Sequence, residues 1–387
     1  MGCLVWRALV WRGLEWVAWY GGLGMEGVVR YGIIGAGMMG IEHLRNLQAI
    51  EGVVVTAIAD PSEASREAAR RQGTDGGGPI ECFESHVALL ESGLCDVIVI
   101  STPNMTHAAI LDDVLATSLP VLVEKPLCTT LADSRRIVSA ANKRDAIVWV
   151  GLEYRYMPPI ARLIREVHSG AVGRVRMVAM REHRFPFLTK VDDWNRFNEN
   201  SGGTLVEKCC HFFDLMNCIT RSNPASVYAS GAQNVNHLGE RYGGRVPDIL
   251  DNALVVVNYE DGCRASLDLC MFAEGSANQE EISVVGDLGK AEAFLPSGEF
   301  RLGTRSGGRS SVESIVVKDE RVGYEGFHHG SSYLEHLDFL SALRSGDAPG
   351  VTVESGMLAV AMGIAAQRSI EQGRVIEMDE VLSDPLA

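Results

Sequence analysis

Residues 28–40 read VVRYGIIGAGMMG, and the fold turns on them. A short apolar run leads into Gly35-Ala36-Gly37-Met38-Met39-Gly40. The next ten residues, IEHLRNLQAI (41–50), set Ile41, Leu44, Leu47 and Ile50 at i, i+3, i+6 and i+9, which is helical spacing. VVVTAIAD (53–60) returns to a strand pattern and ends on Asp60, 20 residues beyond Gly40. Alone, G-x-G-x-x-G is a weak signal. Between a strand and a helix, with an acid at that distance, it is the fingerprint of a dinucleotide-binding βαβ unit. Gly35 permits the tight turn, Gly37 lets backbone approach a pyrophosphate, and Gly40 lets helix and strand pack closely. The helix opening at Met38 and Met39 turns its positive end to the phosphates. Asp60 stands ready to accept hydrogen bonds from ribose hydroxyls. Its charge repels a 2′-phosphate, so NAD is expected ahead of NADP, with Arg66 and Arg70 near enough to admit NADP.

Outward from this stretch the α/β rotation continues. SEASREAARR reads as a helix, PIECF as a short strand, ESHVALLES as a helix and DVIVIST as a buried strand. NMTHAAILDDVLA is helical, PVLVEKP a strand, TTLADSRRIVSAANKR a helix and AIVWVGLEY a strand. Strict alternation means a parallel, doubly wound sheet, whose ligands bind beyond the carboxyl ends of the strands. Three such ends carry chemistry: Ser101-Thr102-Pro103-Asn104 with His107, Glu124-Lys125-Pro126, and Glu153-Tyr154-Arg155. A Glu-Lys pair closing the apolar run VLV is costly to bury unless the charges are paired or used.

The expected organisation is an extension over 1–29 outside the fold, a dinucleotide-binding Rossmann domain over 30–150, and a second α/β domain over 151–378. In the extension Arg7, Arg12 and Glu15 interrupt the apolar run, so no stretch reaches the roughly 18 uncharged residues of a spanning helix. The second domain shows VRMVAMREH as an alternating strand, one helix over 203–219, and several further strands joined by turns such as the D-G of NYEDGCR. That favours antiparallel pairing of the strands, closed by two C-terminal helices.

The chain has 387 residues, 46% of them hydrophobic and 22% charged, enough for two packed domains. Net charge is 35 − 50 = −15. An acidic surface argues against nucleic acid or an anionic membrane as partner. Nine cysteines, with no C-x-x-C pair, point to reduced thiols in the cytoplasm, with no structural metal site.

GIIGAGMMG, STPNMTH, VLVEKPL, GLEYRYMPP and GGTLVEKCCHFFDLM occur in that order. Together they resemble the glucose-fructose oxidoreductase, inositol dehydrogenase and rhizopine catabolism (Gfo/Idh/MocA) family, from about Tyr31 to about Met378. The resemblance implies an N-terminal Rossmann domain and a C-terminal α/β domain with a large, mostly antiparallel open sheet, in an NAD(P)-dependent oxidoreductase of a sugar, inositol or related polyol that oligomerises as a dimer or tetramer through its open sheet face. It implies that Lys125 contacts both cofactor and reacting hydroxyl, that Glu124 lies near the nicotinamide-side ribose, and that Glu207 and His211 match the family's D-x-x-x-H pair. Glutamate at 207, where aspartate is usual, and Glu153, where asparagine is common, depart from the pattern.

The chemistry also follows from residue types. Oxidising a secondary alcohol moves a hydride to the nicotinamide and a proton to a base, and histidine suits that base at neutral pH. On one helix Glu207 would lie four residues before His211 on the same face and orient it. Lys125 would stabilise an alkoxide-like oxygen. Glu153, Tyr154 and Arg155 are read as substrate-lining. So are Arg184 and Trp194, with Arg181, His183 and Arg196 as neighbours in a long connection, and His328 and His329 approach from the C-terminal side. Lys208 is read as a surface or interface residue. Two rival readings stay open: redox-assisted glycoside cleavage that recycles bound NAD, and a non-catalytic dinucleotide sensor.

Overall fold

The computed structural model describes residues 27–73 and 79–384. Nearly all of the expected extension and most of the loop GTDGGG fall outside them.

The first sheet holds six strands: β1 (Val29–Ile34), β2 (Val53–Ala59), β3 (Glu81–Phe83), β4 (Val97–Ile100), β5 (Val121–Glu124) and β6 (Val148–Gly151). They lie in the order β3-β2-β1-β4-β5-β6 and every pairing is parallel. Helices α1 (Met38–Gln48), α2 (Glu63–Gly73), α3 (His86–Glu91), α4 (His107–Leu115) and α5 (Leu131–Ala141) form the crossovers. All four residues of β4 and of β5 are buried, as expected for strands covered on both faces. Ser85 and Thr130 cap α3 and α5 by accepting from Ala88 N–H and Asp133 N–H. The free edge of β6 is closed from far along the chain: Val150 N–H donates to the Val351 carbonyl at 3.3 Å, and Trp149 Nε1 donates to Glu335 at 3.0 Å.

Helix α6 (Pro158–His168) leads into a nine-stranded sheet. Its strands are β7 (Val175–His183), β8 (Pro224–Ala232), β9 (Asn252–Tyr259), β10 (Arg264–Cys270), β11 (Glu280–Gly286), β12 (Gly289–Leu295), β13 (Glu299–Thr304), β14 (Glu313–Val316) and β15 (Ile376–Glu377). The order is β14-β13-β12-β11-β7-β10-β9-β8-β15. All pairings are antiparallel except β7 with β10, which is parallel at the centre. The expected D-G hairpin joins β9 to β10, with Gly262 at φ 85°. One face of this sheet packs on helices, among them α6 and α11 (Val353–Gln372) together with residues 204–220, while α10 (Ser331–Ser345) packs on α1 and β6 of the first domain. The other face is open and carries Met177, Tyr228, Leu254 and Val256.

Candidate active site

The site forms where the carboxyl ends of β1, β4, β5 and β6 meet the packed face of the second sheet. At Gly35, φ is 94°, and an added Cβ would sit 2.7 Å from the Ser101 carbonyl oxygen. A Cβ on Gly40 would stand 1.9 Å from the Gly35 carbonyl oxygen. Strand, turn and helix are thus in backbone contact, which only glycine allows. At Gly37 the opposite holds: its added Cβ meets nothing within 4 Å, and Gly37 and Met38 are exposed. Gly37 caps α1 without any side-chain hydrogen bond, so the first amides of the helix face open space. Asp60 Oδ2 accepts from Ala36 N–H at 2.8 Å and Oδ1 from Ser62 N–H at 2.8 Å, which fixes the carboxylate beside the loop with lone pairs to spare. An open helix start, a glycine cradle and an oriented carboxylate fit a dinucleotide. Ser101 Oγ donates to the Gly35 carbonyl at 2.8 Å, and Thr102 and Pro103 continue the same rim.

Two residues expected on that rim are buried away from it. His107 has no exposed surface and lies between the Thr102 and Pro126 carbonyls at 3.0 and 2.8 Å. It ties the ends of β4 and β5 together. Asn104 donates to the Ser201 carbonyl at 3.1 Å and so clasps the second domain.

Glu124 and Lys125 leave β5 at the crevice. Glu124 is 7% exposed. Its Oε1 is 2.9 Å from His43 Nε2, and its Oε2 accepts from the Lys125 backbone N–H at 3.1 Å. Burial opposes the charge, but the His43 hydrogen bond and the Lys125 ammonium outweigh burial and hold Glu124 below the usual carboxylate range. Lys125 Nζ donates to the Glu207 carbonyl at 2.9 Å and makes no other hydrogen bond among the described residues. Burial works against this ammonium too. The surrounding acidic groups, Cys210 first and then Glu207, Glu124 and Glu153, overcome it, so Lys125 stays charged.

The expected helix over 203–219 is broken. After the short α7 (Asn198–Ser201), it forms α8 (Thr204–Glu207) and α9 (Cys210–Thr220), with Lys208 and Cys209 in a turn between them. The Thr204 carbonyl accepts from both Lys208 N–H at 3.0 Å and Cys209 N–H at 3.3 Å, a locally widened turn. The Glu207 carbonyl, which an unbroken helix would offer to His211 N–H, receives Lys125 Nζ and, at 3.5 Å, the Cys210 thiol. The widened turn rotates Glu207 away from His211, and the expected pairing of the two side chains is not formed. Lys208, expected at the surface, is 4% exposed and lies 2.9 Å from Glu182.

His211 takes a different acid. Its Nε2 is 3.7 Å from Glu153 Oε1, and His328 Nδ1 stands 3.7 Å from the same oxygen. Both distances exceed a hydrogen bond. The His211 ring stacks on Tyr154 at 4.0 Å between centroids, with 7° between planes. Burial, then the charges of Lys125 and Lys208, holds His211 well below the ordinary histidine range, so the ring is neutral at pH 7. Burial, reinforced by Glu124, pushes Glu153 up to about 8. His328 is pushed down to about 3, chiefly by burial. His211 Nδ1, Glu153 Oε2, Glu207 Oε2 and His328 Nδ1 are buried with no hydrogen-bond partner. Buried polar atoms are normally satisfied. A group of them left open in one cleft is what a hydroxyl-bearing ligand would complete.

Of the expected lining residues, Arg184 belongs to this cluster: its charge acts on His211, Glu207 and Lys208, and it lies 3.5 Å from Glu182. Tyr154 supports His211 from behind, its hydroxyl engaged by Lys208 and 3.4 Å from Glu280. Arg155 is committed elsewhere: it forks the buried carboxylate of Asp214, Nε to Oδ2 at 2.6 Å, and reaches the Gly350 carbonyl. Trp194 and Arg196 are buried in the turn after β7, where Arg196 is 3.4 Å from Glu240. Arg181 and His183 lie on the open sheet face against Glu281 and Asp268, because side chains alternate along β7 and Glu182 between them points inward. Sequence reasoning missed Glu182, Glu280 and His43. A buried acid on a strictly alternating strand was the one signal that could have found Glu182.

Residues 29–152 match the family model described as "Oxidoreductase family, NAD-binding Rossmann fold", and residues 164–378 match its "C-terminal alpha/beta domain". The chain belongs to the Gfo/Idh/MocA oxidoreductase family. Among curated relatives it is 26% identical to the myo-inositol 2-dehydrogenase of Thermotoga maritima, covering 92% of this chain and 100% of that one. It is 24% identical to the scyllo-inositol 2-dehydrogenase (NAD(+)) of Bacillus subtilis, covering 92% and 98%. Among solved structures, an oxidoreductase domain protein from Kribbella flavida superposes with a TM-score of 0.80 at 21% identity over 92% of this chain and 100% of that one. A levoglucosan dehydrogenase in complex with NADH and levoglucosan gives 0.79 at 18% identity over 90% and 99%. The Gfo/Idh/MocA chain thus carries an NAD-binding Rossmann domain and the family's C-terminal domain. No helix among the described residues is long and apolar enough to cross a membrane.

Proposed function

We propose that this protein oxidises a hydroxyl, or reduces the matching ketone, of a sugar, inositol or related polyol, with a nicotinamide dinucleotide as partner. One observation carries the reading: the buried imidazole of His211, neutral and with Nδ1 unpartnered, shares its cleft with the Lys125 ammonium at the carboxyl ends of the parallel strands. When bound, the nicotinamide supplies the hydride acceptor or donor. The residues supply the rest. Lys125 has N–H donors to spare for the reacting oxygen and favours its anionic form. His211 Nδ1 receives the hydroxyl proton, which only a neutral ring can do, and stacking on Tyr154 fixes the plane of the ring. Glu153 lies beside the other ring nitrogen and takes the orienting place first read for Glu207. Arg184 and the open oxygens of Glu153 and Glu207 serve the remaining substrate hydroxyls.

NAD is the expected partner ahead of NADP, because Asp60 lies where the adenosine ribose would sit. Asp60→Ala should shift the ratio of kcat/KM toward NADP. The open face bearing Met177, Tyr228, Leu254 and Val256 supports a homo-oligomer, dimer or tetramer, and the reduced thiols support a cytoplasmic setting.

The test is a panel of inositols and sugars with NAD and NADP, followed by absorbance of the reduced nicotinamide. Lys125→Ala and His211→Ala should each lose roughly 100- to 10,000-fold in kcat while still binding NADH. Either variant turning over at near the parent rate would sink the assignment.

A further inference from the structure

Behind Glu124 lies a buried chain of side chains that the mechanism above does not use. His43 comes from α1, three residues beyond Gly40. Its Nε2 is 2.9 Å from Glu124 Oε1, and its Nδ1 is 2.9 Å from Nε2 of His336 on α10. Both rings are 1% exposed and meet edge to face, 5.0 Å between centroids.

The proton positions along this chain follow from the partners. Ionised Glu124 only accepts, so His43 Nε2 must carry hydrogen and donate to it. In a neutral His43, Nδ1 then accepts, and His336 Nε2 must be the donor. That leaves His336 Nδ1 as a bare lone pair, and it is indeed buried without a partner. Were His43 doubly protonated, its Nδ1–H would claim His336 Nε2 as acceptor. His336 Nδ1–H would then be a buried donor with nothing to bond, the costlier arrangement. One proton arrangement therefore satisfies the chain: both rings neutral, both protonated on Nε2.

Resting on the oxidoreductase reading, we infer that His43 is a positioning residue, which holds Glu124 as an oriented carboxylate beside Lys125, while His336 fixes the tautomer of His43. The link joins three parts of the chain: the helix whose start faces the cofactor's phosphates, the strand end bearing Lys125, and α10 of the C-terminal region. Glu124 is also faced by Lys125 from its own strand end, Glu153 after β6, His107 on α4, Lys190 in the connection after β7, His328 in the loop before α10, and Glu335 on α10. Of these, only His43 and the Lys125 backbone donate hydrogen bonds to it.

The experiment compares His43→Leu, His43→Gln and His336→Leu with the parent protein. In His43→Leu we expect kcat to fall at least about tenfold. The carboxyl carbon of Glu124, followed by NMR in glutamate-labelled protein, should titrate at a higher pH than in the parent, because Glu124 loses a donor that favours its charged form. His43→Gln, whose amide N–H can replace the donor, should recover much of both. His336→Leu should move that titration the same way by less. Loss of activity with an unmoved Glu124 titration would reduce His43 to a packing residue and overturn the inference. Nitrogen NMR of histidine-labelled parent protein adds a readout independent of turnover and of how the variants fold. His43 and His336 should appear neutral and Nε2-protonated at pH 7. A doubly protonated ring, or an Nδ1-protonated tautomer in either, would refute the chain. If the parent turns over no polyol, the oxidoreductase reading fails, and the tautomers still decide this inference separately.

Discussion

Gly37 and Gly40 are three residues apart, and the same substitution should have opposite consequences at them. At Gly37 the backbone has φ −72° and ψ −163°, open to any L-residue, and an added Cβ touches nothing. Gly37→Ala should leave the folded chain intact and even stabilise it by roughly 0.4–1 kcal/mol, through a less flexible unfolded state. The methyl group, however, fills the space through which a pyrophosphate would approach the helix start. A misfit there costs about 1–3 kcal/mol, the usual penalty for overpacking, or roughly a 5- to 150-fold rise in Kd. At Gly40 the added Cβ would sit 1.9 Å from the Gly35 carbonyl oxygen and 3.1 Å from Ser101 Oγ. Backbone must move, so Gly40→Ala should lower the melting temperature by several degrees and weaken cofactor binding as a consequence. The assay is a thermal melt with a fluorescence titration of NADH on each variant. Gly37→Ala binding NADH within twofold of the parent would refute the placement of the phosphates at this helix start. Gly40→Ala melting like the parent would refute the backbone contact.

Two further outcomes follow from buried charge. Glu153 is held up to about 8 from an ordinary 4.5. Between those values the unfolded chain gives up a proton that the folded chain keeps, so the parent loses stability as pH rises. Glu153→Gln has no such proton. Its denaturation midpoint should match the parent's near pH 4 and exceed it increasingly up to about pH 8; a pH-independent difference would contradict the burial argument. Asp214, 1% exposed, neutralises Arg155. Asp214→Ala should cost about 3 kcal/mol in urea unfolding, because it strands a half-buried cation. A loss under 1 kcal/mol would show that water reaches the pair.

The first sheet was legible because its signals are local. Gly35, Gly37, Gly40 and Asp60 sit within one βαβ unit, and each spacing has a backbone reason. Lys125 stood out as a charge closing an apolar strand, and His211 by residue type. What the sequence hid depends on long-range contact or on register. Arg181 and His183 were favoured over Glu182, although a strand shows alternate residues to opposite faces, so the choice was wrong by one position. Glu207 was paired with His211 by assuming an unbroken helix, yet the helix breaks at Lys208 and Cys209, and the Glu207 carbonyl left free there bonds Lys125, 82 residues away. The His43–Glu124–His336 chain spans 293 residues in sequence between its two rings, and no local pattern announces it.

The closing of β6 by residues 335 and 351 bears on how the protein comes into being. A ribosome that has released residue 151 has delivered all six strands of the first sheet, but not the roof over the last of them. Until the final helices emerge, the edge of Val148–Gly151 and the indole of Trp149 stand uncovered. The amino-terminal half therefore waits on the carboxy-terminal end to finish folding. A fragment cut after the last strand of that sheet should require a chaperone or a partner to stay dispersed.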